Sequence, residues 1–159
     1  MAALLCLFHL TGSNNLMADQ HYLKLLTTAF ENEYNDVFLY LREADTFGKR
    51  ILGTEKLHEL FNAFSQMELR HADRIAMRII ELGGTPQWVF KPIEQATSLR
   101  TALKKHAELE LSMYRFYTEL VKQEEDNDFK IILKGIRENE REHLEKTTEL
   151  LKKVGEADA

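Results

Sequence analysis

With one cysteine, Cys6, in 159 residues, the chain can build neither an internal disulfide nor a thiolate metal site of its own. A reducing, cytoplasmic setting is the expectation that follows. Proline is nearly as scarce, with two residues against seven glycines, and Leu, Glu, Ala and Lys dominate, a balance that favours long helices over strands. Positive charge is not in excess. The formal net charge is -5 and no basic cluster with interleaved aromatics occurs, which argues against nucleic acid as a partner. A membrane span is missing too. The apolar run Ala2 to Leu10 falls far short of the roughly 20 residues a bilayer needs, and it lacks the basic flank of an export signal. Met17 stands just before the first strong helical pattern. Residues 1–16 are therefore set apart as an extension, either an artefact of start-site choice or an accessory segment, and residues 17–159 are read as one domain.

What the chain does have is apolar periodicity at steps of three and four. The first pattern reads Leu26, Phe30, Val37, Tyr40, Ala44 and Phe47, and breaks at Gly48 to Gly53. A second starts after Thr54, a candidate N-cap, with Leu57, Leu60, Phe61, Phe64, Ala72, Ile75, Ile79 and Leu82, and stops at Gly83-Gly84. The stretch from Gly84 to Gln95 holds both prolines and reads as extended linker. A third helix is predicted over about Thr97 to Lys122, with Leu103, Ala107, Tyr114, Tyr117 and Val121 inward. The fourth opens after Asp126 and ends at Gly155, with Phe129, Ile132, Leu133, Ile136, Leu144, Leu151 and Val154 inward. Short connections make two antiparallel hairpins. The linker between them, some dozen residues at about 3.3 Å each, matches the length of a helix of about 27 residues at roughly 1.5 Å per residue. It can span the bundle and set the second and third helices parallel. The fold class expected is all-α: a four-helix bundle of two antiparallel hairpins joined by a long crossover.

The chain also repeats. A shift of 72 places Thr54 on Asp126, Leu57 on Phe129 and Phe64 on Ile136; a shift of 77 places Leu26 on Leu103 and Tyr40 on Tyr117. Two similar hairpins related by a pseudo-twofold follow.

Titratable residues interrupt each inward stripe at matching places. Glu33 fills the gap between Phe30 and Val37, and Glu110 the gap between Ala107 and Tyr114. The second helix carries Glu68-Leu-Arg-His71 and the fourth Glu140-Arg-Glu-His143. Under the two shifts Glu33 maps to Glu110, Glu68 to Glu140 and His71 to His143. Four unpaired buried carboxylates would each cost several kcal/mol or take up protons, and no Lys or Arg lies on the inner stripes to offset them. Two divalent cations would balance four carboxylates. Oxygen-rich ligation with one imidazole per ion suits Fe(II) or Mn(II) better than zinc or copper.

One Glu-x-x-His alone means little. With 19 glutamates in the chain, one falls three before a given histidine about one time in eight at random. Glu55-x-x-His58 has no matching pair in the fourth helix, where Asn127 and Lys130 stand, and reads as solvated surface. Six residues in register under two independent shifts are a different matter. In the third helix Glu110 is preferred to Glu108, which shares a polar stripe with Ser112, Arg115 and Glu119. His106 reads as a supporting group, an extra ligand or a partly exposed histidine. Tyr40 and Tyr117 follow Glu33 and Glu110 by seven residues. They are positioned either to donate a hydrogen bond to a ligand carboxylate or simply to fill the core.

Glu33 with Tyr40, Glu68-x-x-His71, the Leu82-Gly-Gly-Thr-Pro86 exit, Glu110 and Glu140-x-x-His143 together resemble the rubrerythrin and bacterioferritin branch of the ferritin-like di-iron carboxylate proteins, over residues of about 18–155. The resemblance implies two iron ions, with Glu68 and Glu140 bridging and Glu33, Glu110, His71 and His143 terminal. It implies a peroxidase of the oxidative-stress kind, reducing peroxide or dioxygen with the four glutamates as the catalytic carboxylates. The rubredoxin-like domain of rubrerythrins proper has no counterpart, so a separate electron donor such as a rubredoxin is expected. The additional glutamate three residues from the third-helix ligand is missing as well, with Ala107 and Met113 there instead. Leu69 stands where bacterioferritin has its haem methionine, so no haem is expected. The chain stops four residues after Gly155, which favours a homodimer over a cage. The alternative is a ferroxidase of the iron-storage type; an oxygenase and a metal-free bundle are weaker readings.

Overall fold

The computed structural model describes residues 10–48, 55–94 and 96–157, which form four helices: α1 (Leu10–Gly48), α2 (Glu55–Glu81), α3 (Leu99–Gln123) and α4 (Asn127–Ala157). No strand occurs among the described residues, nor any helix long and apolar enough to cross a membrane. The expected fold holds. α1 packs chiefly on α2 and α3 chiefly on α4, while the two hairpins meet more thinly, along α1–α3 and α2–α4.

Local chemistry sets the boundaries. α2 ends in a Schellman turn: the Gly83 N–H donates to Ile80 O and that of Gly84 to Ile79 O, with Gly83 at φ 77°. Gly84 is needed for space, since a Cβ there would stand 2.8 Å from Leu23 Cδ1 and 2.9 Å from Ile79 Cγ2. α3 is capped by Ser98, whose Oγ accepts from the Thr101 N–H at 3.1 Å, one residue beyond the start read from the sequence. The Asp126 carboxylate accepts from the N–H groups of Asp128 and Phe129 and opens α4. Thr54 lies outside the described residues.

Several expectations need correction. Helical backbone begins at Leu10, seven residues ahead of Met17, and continues through Gly12 and Asn14-Asn15 although these are weak helix formers. α4 runs through Gly155 to Ala157; the Pro or αL turn that would enforce a stop is missing. Leu82, past the end of α2, is exposed rather than inward. Ala107 and Tyr114 are half-buried, and Met113 takes the core position between Glu110 and Tyr117.

The α3–α4 turn lies against the C-terminal end of α2 and the N-terminal half of α1. Arg78 Nη2 donates to Glu124 Oε1 at 2.9 Å, and the Tyr22 hydroxyl donates to Glu124 Oε2 at 2.6 Å. α2 and α3 therefore end at the same level and run parallel. The crossover is strapped over α1: Asn35 Oδ1 accepts from Trp88 Nε1 and the Lys91 N–H, and Arg42 donates to Ile93 O. Trp88 also packs on Tyr34 and Phe38. Inside, the core is divided. One apolar cluster holds Leu26, Ile75, Ile79, Leu120 and Leu133; the other holds Phe47, Phe61, Phe64 and Leu103. A polar layer separates them.

Candidate metal centre

Each helix supplies that layer from its middle turns, where no capping group or solvent can reach. Glu33 comes from α1, Glu68 and His71 from α2, Glu110 from α3, and Glu140 and His143 from α4. All six are at most 4% exposed. The i, i+3 spacing in α2 and α4 turns each Glu and its His to one face. The structure brings all six together, in two overlapping groups. Ligand-type atoms of Glu33, Glu68, His71 and Glu140 lie within 4.8 Å of one another, as do those of Glu68, Glu110, Glu140 and His143. Glu68 and Glu140 belong to both groups, so each stands between two foci. Glu108, by contrast, is exposed. His58 is half-buried rather than solvated, with Nδ1 3.0 Å from Ala44 O; it ties α2 to α1 and belongs to neither group.

His71 Nδ1 faces three carboxylate oxygens at once: Glu68 at 3.0 Å, Glu140 at 3.1 Å and Glu33 at 3.2 Å. His143 Nδ1 lies 2.9 Å from Glu68 and 3.7 Å from Glu110. One ring N–H can serve one of those acceptors, not three. Several approaches are also misaligned for hydrogen bonding. Both oxygens of Glu68, Oε1 of Glu140 and both ring nitrogens of His143 make no hydrogen bond. Orphaned buried polar atoms are rare, and here the Glu68 and Glu140 oxygens and His143 Nδ1 gather at the two foci. Atoms about 2.1 Å from one octahedral ion, at right angles across it, stand about 3 Å apart, the spacing found around His71 Nδ1. The residues therefore fit a pair of divalent ions. Four carboxylates and two imidazoles neutralise two such ions and offer mostly oxygen donors.

Without cations the layer holds protons instead. Burial, together with the charges of Glu33 and Glu110, raises Glu68 and Glu140 well above the ordinary carboxylate range. Burial would lower His71, but Glu33, Glu68 and Glu140 raise it overall. Burial likewise works to raise Glu33, yet His71 and the bonds it receives hold it below its usual value.

Two phenols cross between hairpins. The Tyr40 hydroxyl of α1 donates to Glu110 of α3, and the Tyr117 hydroxyl of α3 donates to Glu33 of α1. Burial and these carboxylates raise both phenols well above their ordinary value, so they remain donors. They orient the carboxylates at opposite ends of the layer. Asn139 was not singled out from the sequence; its side-chain amide lies 3.0 Å from His71 Nε2 and fixes that ring. Its repeat partner is Met67, so the register gave no signal there. The Glu43–His106 pair was also missed as a pair. Both are buried, and His106 Nε2 bonds Glu43 Oε2 while the ring stacks on Tyr40 at 4.3 Å between centroids. His106 is thus neither exposed nor within either ligand group.

Comparison with known proteins agrees with the fold. A ferritin-like diiron-carboxylate protein from Bacillus anthracis superposes with a TM-score of 0.78 at 23% identity, covering 84% of this chain and 97% of its own. The Desulfovibrio desulfuricans bacterioferritin, a protein with a diiron site, gives 0.79 at 20% identity over 87% and 82%. A dodecameric thioferritin, the bacterioferritin-related protein of Bacteroides fragilis, gives 0.77 at 20% over 88% and 89%. At these identities the likeness is one of fold. No curated protein matches by sequence. The pattern that defines rubrerythrins, however, matches residues 24–151, a span that takes in every helix's contribution to the polar layer. The chain belongs to the rubrerythrin family.

Proposed function

We propose that the polar layer holds two iron ions and that the protein is a peroxidase, reducing peroxide with electrons from a separate donor protein such as a rubredoxin. The observation that carries this reading is the pair of overlapping ligand groups sharing Glu68 and Glu140. Glu68 and Glu140 would bridge the ions, and Glu33 with His71 and Glu110 with His143 would complete the two ends. Bound iron would supply the electrons for cleavage of the O–O bond. The chain's own residues do the rest. Tyr40 and Tyr117 keep Glu110 and Glu33 in place. The flanking apolar clusters exclude bulk water. Reduction of one peroxide to two waters takes up two electrons, returned to the iron by the donor protein, and two protons. A homodimer is part of the proposal, supported by the exposed Trp88, Val89 and Phe90 beside α1.

Anaerobic Fe(II) titration of the purified protein, followed by mixing with peroxide and separately with dioxygen, tests the reading. Two irons per chain, oxidised much faster by peroxide, are expected. Uptake of many irons per chain under air would replace it with the storage reading.

A further inference from the structure

The pseudo-twofold is broken in one place, and the break is polar. On the α1–α3 face Glu43 corresponds to Leu120, His106 to Ala29 and Asp36 to Met113 under the shift of 77. The bundle closes at one end of that face with Leu120 and Ala29, so it does not require acids and an imidazole at the other. Yet Glu43 and His106 are 6% and 1% exposed. His106 Nδ1 makes no hydrogen bond, although a buried imidazole nitrogen normally finds a partner.

The same three residues line open space. A cavity of about 210 Å³ between α1, α3 and the crossover is bordered by Asp36, Glu43, Glu94, His106 and Leu109. A second, of about 160 Å³, shares Asp36, Lys91 and Leu109 with it and continues along the face to Met113. Asp36 borders both cavities and stands one turn from Glu33 along α1, within range of the charges of Glu33 and Glu110. The lysines at the rim are engaged: Lys105 Nζ pairs with Glu94 at 3.0 Å, and Lys91 Nζ donates to Asn32 Oδ1 at 3.2 Å.

We propose that this groove is the inlet for divalent cations, with Glu43 and His106 as a capture site and Asp36 as the step between it and the Glu33–Glu110 side of the layer. The chemistry is that of a transient site. One carboxylate and one imidazole, with water completing the shell, bind an ion weakly enough to pass it on, whereas the layer offers four protein ligands per ion. Glu43, Asp36 and Glu33 stand along one side of α1 as successive carboxylates. The inference rests on the layer being the metal centre.

Cobalt(II), which is visible by its absorption and does no oxygen chemistry, separates the two claims. Metal-free protein is mixed with cobalt(II) in a stopped-flow instrument, and loaded protein with a chelator. An inlet lowers the barrier in both directions, so Glu43→Gln and His106→Gln should slow loading and removal alike, by about tenfold, with two ions still bound at unchanged affinity. Asp36→Asn, at a half-buried position that disturbs no ring stack, should do the same. Loading at the unaltered rate in all three variants overturns the inlet and leaves the metal centre standing. So does faster removal with weakened affinity, which would make the pair mere support for Tyr40. If the unaltered protein takes up no cobalt that Glu68→Ala abolishes, both claims fall.

Discussion

The residues of the polar layer differ in what their loss would do. Glu68 serves both ligand groups, so Glu68→Ala should abolish binding of both ions, while His58→Ala, outside the groups, should leave two per chain; equilibrium metal titration compares them. Tyr117→Phe removes a donor from Glu33 without touching a ligand atom. It should weaken binding by about tenfold, the lower end for a group supporting a ligand, with stoichiometry unchanged by isothermal titration calorimetry. How far these residues can be read from sequence depends on the repeat. Glu33, Glu110 and the two Glu-x-x-His pairs stand out because each has a twin. Glu43, Asp36 and Asn139 correspond to Leu120, Met113 and Met67, so the register that reveals the six conceals these three; His106, whose counterpart is Ala29, stands out without its partner Glu43. Burial of His106 likewise depends on the stack with Tyr40, a contact across helices that no local pattern encodes.

At the scale of elements, the glycine pair ending α2 does two separate jobs. Gly83→Ala should cost about 1–2 kcal/mol, the penalty for a Cβ in the left-handed region. Gly84→Ala should cost at least as much for another reason, the contact with Leu23 and Ile79, with overpacking of this kind costing roughly 1–3 kcal/mol. Thermal melts of the two variants give the comparison, and an unchanged melting temperature for Gly84→Ala would mean that Leu23 moves aside freely. Helix order, hairpin pairing and the crossover follow from apolar spacing and loop length. The ends are less legible. The start of α1 and the run of α4 through Gly155 carry no obligatory stop signal, and Ser98 rather than Thr97 caps α3 because its hydroxyl reaches the Thr101 N–H.

For the whole molecule the polar layer makes stability depend on pH in a direction that metal reverses. Glu68, Glu140 and His71 all have raised values in the fold. Each therefore stabilises the metal-free protein fully below its unfolded value, 4.5 for the carboxylates and 6.5 for the imidazole, and that stabilisation is lost as pH rises through the folded value. Glu33, held low, works the other way but only below 4.5. Melting temperature of the metal-free protein should fall from mildly acidic to mildly alkaline pH. That of the loaded protein should rise, because binding requires the deprotonated ligands. Parallel slopes would show that the ions do not sit in this layer. The thin seam between hairpins has a consequence of its own. Each ligand group takes three residues from one hairpin and one from the other, so neither ion can stay bound if the hairpins part. Metal should then act as a rivet on slow breathing: amide hydrogen exchange along the α1–α3 and α2–α4 seams would pass from partial opening of two bodies to the rate of global unfolding. Parting of the hairpins would then be as rare as unfolding of the whole chain, and an ion would have to leave through the closed bundle.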